Sequence, residues 1–348
     1  MENAKIQAIG TALPQYSVSQ DMAKEFAFRA FRQSFKDINR LLTIFDNSQI
    51  NKRYVSMPLG WYGKEHSFAE TNQIYEQVGL NLAEKASLAA ICEAGIKLND
   101  IDMVIFVSST GIATPTIDAA LIQRLGLPEN VKRIPIWGLG CAGGVSGVAR
   151  AAELAKTIKS KSVLLVALEL CSLTFQREDF SKANFVGASI FGDGAAAVLL
   201  SVGGDGPEIV DSYSHLFPKS ADIMGWDVVN SGLKVRFSKS IPHIITKYLP
   251  ELIVKACKNW DVDPKKIQHY IVHPGGAKVI QAYKDSLGLT EDVLQYAVET
   301  LYNYGNISSA SVLFEMKEFM TNTISERRYG VMLALGPGFS AEKVLFKW

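Results

Sequence analysis

The stretch Val131-Lys132-Arg133-Ile134-Pro135-Ile136-Trp137-Gly138-Leu139-Gly140-Cys141-Ala142-Gly143-Gly144-Val145 reads as a strand, a glycine-rich turn and the start of a helix, with the helical pattern continuing to Ile158. That succession is the unit of α/β folds. The same grammar extends on both sides. Asp102 to Val107 is strand-like and precedes a Ser/Thr turn, Ile117 to Leu125 has helical spacing, and Ser162 to Ala167 and Ala195 to Leu200 are apolar strand runs. In the second half Ile241 to Trp260, Lys278 to Leu287 and Ser308 to Phe319 read as helices, while Tyr270 to Val272, Val331 to Leu335 and Val344 to Phe346 read as strands. A parallel or mixed sheet covered by helices follows from strands that are apolar throughout. The run Gly203-Gly204-Asp205-Gly206-Pro207 punctuates the chain and divides residues 1–205 from 206–348. No residue-level repeat relates the two parts.

The 348 residues, 48% hydrophobic, supply a substantial core, and 36 Lys and Arg against 35 Asp and Glu leave a formal charge of +1. Bulk charge therefore points to neither nucleic acid nor an anionic membrane as partner. Cys92, Cys141, Cys171 and Cys257 are widely spaced, which argues against a disulfide framework and a structural zinc site and for reduced thiols. Residues 1–20 hold no apolar leader core, and no run reaches the ~18 apolar residues of a membrane span. The expectation is a cytoplasmic protein without integral membrane association.

Three distant segments carry chemistry: Gly140-Cys141-Ala142-Gly143-Gly144, Val272-His273-Pro274-Gly275-Gly276 and Tyr304-Gly305-Asn306-Ile307-Ser308-Ser309-Ala310. Taken singly, Cys141 is an ordinary small buried residue, His273 a strand-end cap and Asn306 a turn residue. Together a thiol, an imidazole and an amide are the equipment of acyl transfer, because they supply a nucleophile, a proton acceptor or donor, and a holder for an oxyanion. Cys141 opens a helix, so the helix dipole is expected to favour its thiolate. Residues 138–143 also match Gly-x-Gly-x-x-Gly, but the nucleophile loop accounts for the same glycines without a dinucleotide.

With Phe191-Gly192-Asp193-Gly194-Ala195-Ala196 and Leu335-Gly336-Pro337-Gly338-Phe339, these segments resemble the type III polyketide synthases, the chalcone-synthase-like branch of the thiolase superfamily, from about Ile6 to Leu345. Pro135 to Cys141 and Glu169 to Phe175 are most similar to the bacterial alkylpyrone synthases. The resemblance implies an α/β, thiolase-like five-layered αβαβα fold of two similar halves, with Cys141 in residues 1–205 and His273 and Asn306 in 206–348. It further implies a homodimer, coenzyme A thioesters as substrates and no metal, nicotinamide or flavin.

By the same resemblance Cys141 accepts the acyl group, and His273 and Asn306 assist its loading and then hold the malonyl-CoA carbonyl. Phe175 matches a gatekeeper aromatic, Val235 replaces a second aromatic gate, and Ser109 and Thr110 line the pocket wall. Thr114 stands where plant members place a methionine that reaches into the partner subunit. Ser308 and the loop from Gly336 to Phe339 influence ring closure. Of the family's basic coenzyme A contacts only Arg40 matches, with Thr43 and Asn47 in the other places and Arg32, Lys36 and Lys52 as substitutes. The implied activity is condensation of a long-chain acyl-CoA with malonyl-CoA to alkylpyrones or alkylresorcinols. Rival readings are a single condensation by a ketoacyl-ACP synthase III and an inactive homologue serving as a binding subunit. A hydroxymethylglutaryl-CoA synthase would need an acid near Cys141, and the sequence displays none.

Overall fold

The computed structural model describes residues 2–157 and 162–348. The apolar runs become strands of one mixed sheet, in the spatial order Ile267–Val272, Tyr329–Gly336, Ser340–Lys347, Glu208–Leu216, Ala4–Ala12, Asp193–Val202, Ser162–Leu170, Ile101–Ser108 and Lys132–Trp137. Its two middle strands, Ala4–Ala12 and Glu208–Leu216, escape the sequence reading. They join the halves through the Lys5–Glu208 pairing and a 2.9 Å bond from the Ile6 N–H to the Pro207 oxygen.

Strand pairing reveals an internal duplication. Ile101–Ser108 runs parallel to Ser162–Leu170, which is antiparallel to Asp193–Val202, itself antiparallel to Ala4–Ala12. In the other half Ile267–Val272 runs parallel to Tyr329–Gly336, which is antiparallel to Ser340–Lys347, itself antiparallel to Glu208–Leu216. Lys132–Trp137 is an additional outer strand on the first half alone.

Because side chains alternate across a strand, each half-sheet buries two faces. Val104, Phe106, Leu164, Val166, Ala197 and Leu199 pack outward among residues of the helices Phe68–Ala94 and Ile117–Leu125. Met103, Ile105, Val107, Leu165 and Val198 pack inward with Ile271, Met332, Ala334 and Val344 around the helices Gly143–Ala155 and Ser311–Asn322. Val272, Val331, Leu333 and Leu345 face the helices Ile241–Asn259 and Ala277–Leu287. The result is five layers, α, β, α, β and α, with the thiol loop leading into one central helix and the Asn306 loop into the other.

Two boundaries differ from the periodicity. The helix expected from Val145 to Ile158 runs from Gly143 to Ala155, and Ile158 lies outside the described residues. The helix expected from Ser308 to Phe319 divides into a 3₁₀ turn, Ser308–Ala310, and an α-helix, Ser311–Asn322. Ser308 has φ of 47°, a left-handed conformation that an α-helix cannot continue through. Around one end of the sheet lie the helices Gln20–Phe31, Ile38–Asp46 and Lys182–Ile190, the paired strands Tyr16–Ser19 and Lys52–Val55, and the hairpin Met224–Val229 with Gly232–Phe237.

Candidate active site

Cys141 lies in the 3₁₀ turn Gly140–Ala142, immediately before the helix Gly143–Ala155. Gly140 has φ of 47°, and a Cβ there would stand 2.7 Å from the Pro337 ring. The Gly336 backbone is pressed equally close, 2.3 Å between its would-be Cβ and the Leu139 oxygen. At Gly144 a Cβ would fall 2.1 Å from the Ser309 oxygen, so the starts of the two central helices touch only because glycine stands there.

Opposite the thiol, the Asn306 backbone is fixed by a 2.8 Å bond from its N–H to Ile190 oxygen and a 3.0 Å bond from the Gly192 N–H to its own oxygen. Its side-chain Oδ1 accepts from the Ser308 N–H at 2.8 Å and its Nδ2 donates to the Gly275 oxygen at 3.1 Å. His273 follows the strand Ile267–Val272, and its N–H donates to the Leu333 oxygen at 2.8 Å. A Cβ on Gly275 would lie 3.4 Å from His273 Cδ2 and 3.5 Å from Nε2, so that edge of the imidazole faces the loop bonded to Asn306.

All three groups are buried, at 6% exposure for Cys141, 3% for His273 and 2% for Asn306. Burial pushes the Cys141 thiol up to about 12, with Glu169 adding repulsion and hydrogen bonds from Ser308 and Asn306 opposing it. Burial also drives His273 down to about 3. The resting pair is thus a thiol and a neutral imidazole. Burial thus opposes the thiolate that the helix start is expected to favour.

The expectation that no acid stands near the thiol is corrected too. Glu169, fully buried on Ser162–Leu170, accepts from the Ser109 N–H at 3.0 Å, Thr110 Oγ1 at 2.9 Å and Ser309 Oγ at 2.6 Å. Its sequence signal was a lone carboxylate in a run of Val, Leu and Ala. Burial raises it to about 7, with those donors pulling the other way.

Residues 1–206 match the family model for chalcone and stilbene synthases, N-terminal domain, and residues 208–348 match that for the C-terminal domain. The chain belongs to the chalcone and stilbene synthase family. It is a type III polyketide synthase, an enzyme of acyltransferase type. It is 45% identical, over 99% of both chains, to a Bacillus subtilis (strain 168) protein provisionally designated a chalcone synthase. It is 35% identical to a 1,3,6,8-tetrahydroxynaphthalene synthase of Streptomyces peucetius subsp. caesius, covering 99% of this chain and 93% of the relative. The crystal structure of the corresponding Streptomyces coelicolor A3(2) enzyme superposes with a TM-score of 0.94 over 99% of both chains at 27% identity, and the fold is therefore thiolase-like.

In this synthase Phe175 and Val235 line one apolar cavity, together with Val18, Phe26, Leu59, Cys171 and Phe191. Phe175 packs edge-on against Phe26 and Phe31 of the helix Gln20–Phe31. The aromatic that adjoins the catalytic loop is instead Phe191, which forms a β-bridge with Asn306 and which the sequence reading quoted without a role. Ser109 is brought to the nucleophile turn, its Oγ accepting from the Gly140 N–H at 3.0 Å, and Thr110 Oγ1 accepts from the Leu170 N–H.

Other candidates stand apart. Thr114 is exposed on the loop before Ile117–Leu125. Phe339 is fully buried in the outer core, 5.6 Å from the Phe217 ring, so it anchors its loop from behind. Arg40 is exposed on the helix Ile38–Asp46, as are Thr43 and Asn47. Among the described residues no cluster of three His, Cys, Asp or Glu could hold a metal ion, and no helix is long and apolar enough to cross a membrane.

Proposed function

We propose that this synthase extends a long-chain fatty acyl starter with malonyl units to tri- and tetraketides that close as alkylpyrones or alkylresorcinols. The observation that carries the choice of starter is the cavity lined by Phe175, Phe191 and Val235, which is apolar apart from a few polar groups at its wall and suits an alkyl chain. Cys141 is the acyl acceptor: its sulfur attacks the starter thioester, coenzyme A leaves, and the thiol proton ends on the coenzyme A sulfur. His273 and Asn306 then hold the malonyl thioester oxygen. The bond between the malonyl carboxylate and its methylene carbon breaks, carbon dioxide departs, and the electron pair becomes an enolate whose oxygen faces the two donors. One such donor is typically worth ~2.7–4 kcal/mol. The enolate carbon attacks the Cys141 thioester, the sulfur leaves, and the chain is longer by two carbons.

The substrates are coenzyme A thioesters, and the chemistry calls on no metal, nicotinamide or flavin. Arg40 with Arg32, Lys36 and Lys52 is assigned to the coenzyme A phosphates, and Thr114 to the contact with a second copy. Ser308, beside the thiol, and Gly336, pressed on the nucleophile turn, shape the space in which the ring closes.

Product mass spectrometry with malonyl-CoA and acyl-CoA starters from acetyl to stearoyl, alongside Cys141→Ser, tests the reading. Long-chain pyrones or resorcinols absent from the variant support it. A malonyl-only product, or a single ketoacyl product requiring carrier protein, overturns it.

A further inference from the structure

Behind His273 lies a group of buried polar atoms that the chemistry above leaves unused. Tyr283, on the helix Ala277–Leu287, and Glu315, on the helix Ser311–Asn322, are both fully buried. Glu315 Oε1 accepts from the N–H of Val272, the residue before His273, at 3.0 Å. Glu315 Oε2, Tyr283 Oη and both ring nitrogens of His273 have no hydrogen-bond partner among the described protein atoms. Burial raises the Glu315 carboxyl well above the usual carboxylate range, and the Tyr283 phenol senses both Glu315 and the Cys141 thiol.

Capping the Val272 N–H, which lies at the free edge of the sheet, accounts for one oxygen of Glu315 and leaves the other unexplained. Glu315 Oε2, Tyr283 Oη and Nδ1 of His273 are three such atoms on neighbouring elements, and an internal water would satisfy them, since a buried polar atom without a partner is costly. The Cδ2–Nε2 edge of the ring lies against Gly275, whose oxygen accepts from Asn306, and Nδ1 is on the other edge. A neutral imidazole that donates from Nε2 must accept at Nδ1. A protonated carboxyl and a phenol are both donors.

We infer that Glu315 and Tyr283 are positioning residues which donate, through an internal water, to Nδ1 of His273 and thereby hold the imidazole in the tautomer that presents Nε2–H to the enolate oxygen. The inference rests on the assignment of His273 as that donor, and His273→Ala tests the assignment independently: loss of malonyl-CoA decarboxylation there upholds it whatever happens at Glu315.

The experiment compares Glu315→Gln, Glu315→Leu and Tyr283→Phe with wild type in the full chain. It measures malonyl-CoA decarboxylation and the NMR of isotope-labelled histidine, which separates protonated from unprotonated ring nitrogens, with His273 assigned by its loss in His273→Ala. Glu315→Leu and Tyr283→Phe are expected to lower kcat by about 10–100-fold, the range associated with groups that orient a functional histidine, with KM for malonyl-CoA little changed. Both should shift the His273 signals away from the Nε2–H tautomer. Glu315→Gln keeps a donor and an acceptor and should restore tautomer and rate. If Glu315→Leu and Tyr283→Phe fold with wild-type melting temperature and leave the His273 tautomer unchanged, the inference is overturned. It is overturned as well if Glu315→Gln is as impaired as Glu315→Leu while remaining folded.

Discussion

Asn306 donates from its side-chain amide to the main-chain oxygen of Gly275 across 3.1 Å, tying its own loop to the one that carries His273. The donor assigned to the enolate oxygen is thus also a brace between two loops. Asn306→Asp keeps the shape and the acceptor for the Ser308 N–H but removes the donor. Malonyl-CoA decarboxylation should fall by about 10²–10³-fold, the usual consequence of deleting one oxyanion donor. Acyl loading of Cys141, followed by intact-protein mass spectrometry, should fall much less. Equal losses in both steps would reduce Asn306 to the brace alone.

The neutral resting state of Cys141 has a kinetic signature. Its thiol is raised to about 12 by burial, so thiolate becomes populated only as pH rises. Alkylation by iodoacetamide should accelerate continuously from neutral pH upward with no plateau below pH 9. A plateau reached below pH 7 would mean that the helix start and His273 overcome desolvation after all.

Val235 and Gly187 share the apolar cavity with Phe191, and a Cβ on Gly187 would approach the Phe191 ring to 3.2 Å. Val235→Phe adds volume where the starter chain is assigned. Product profiles from mixed acyl-CoA pools should move to shorter starters, while decarboxylation of malonyl-CoA without a starter stays near wild type. A cost of about 1–3 kcal/mol in stability is expected from overpacking. An unchanged product profile would place the alkyl chain elsewhere.

Glu169 makes stability fall with rising pH. Its folded-state pKa, about 7, is above the ordinary carboxylate value, so the folded protein holds the proton more tightly than the unfolded chain. The stabilisation is complete below about pH 4 and lost as pH climbs through 7, an effect of roughly 3 kcal/mol. Glu169→Gln removes this titration and can still bond Thr110 and Ser309. Its melting temperature relative to wild type should therefore rise between pH 5 and pH 8, as followed by circular dichroism. A constant difference would refute the assignment.

The outer strand Lys132–Trp137 is paired on one side only and ends in Trp137, 52% exposed beside Ile112 at 44%. An unpaired edge with apolar side chains invites a second copy. Analytical ultracentrifugation should report a dimer, and Trp137→Glu should weaken it. A wild-type monomer at micromolar concentration would discount this edge.

The chemistry was legible wherever it was written in unusual combinations. Cys141, His273 and Asn306 each stand among glycines at the end of an apolar strand or at the entrance to a helix, and the fold delivers all three to one buried place. The alternating βα pattern revealed seven of the nine strands of the main sheet, because strands buried on both faces are apolar without interruption. Ala4–Ala12 and Glu208–Leu216 carry Lys5, Gln7, Asp211 and His215, so the seam between the halves was hidden by its polar residues. Glu169, Tyr283 and Glu315 lay in helix or strand runs whose periodicity predicts burial and says nothing of what a buried carboxyl or phenol touches. The duplication was expected from the family resemblance alone, for a different reason. It survives in the order and direction of strands, which local sequence does not record.

That duplication brings the loops of Cys141 and Asn306 to one place from corresponding ends of the two halves. Each stands just ahead of the central helix of its own half, Gly143–Ala155 or Ser311–Asn322, and the two helix starts meet where Gly144 touches Ser309. The reaction centre accordingly sits near a local pseudo-twofold axis, at the positive ends of two helix dipoles rather than one. Negative charge developing between them would meet the same paired field.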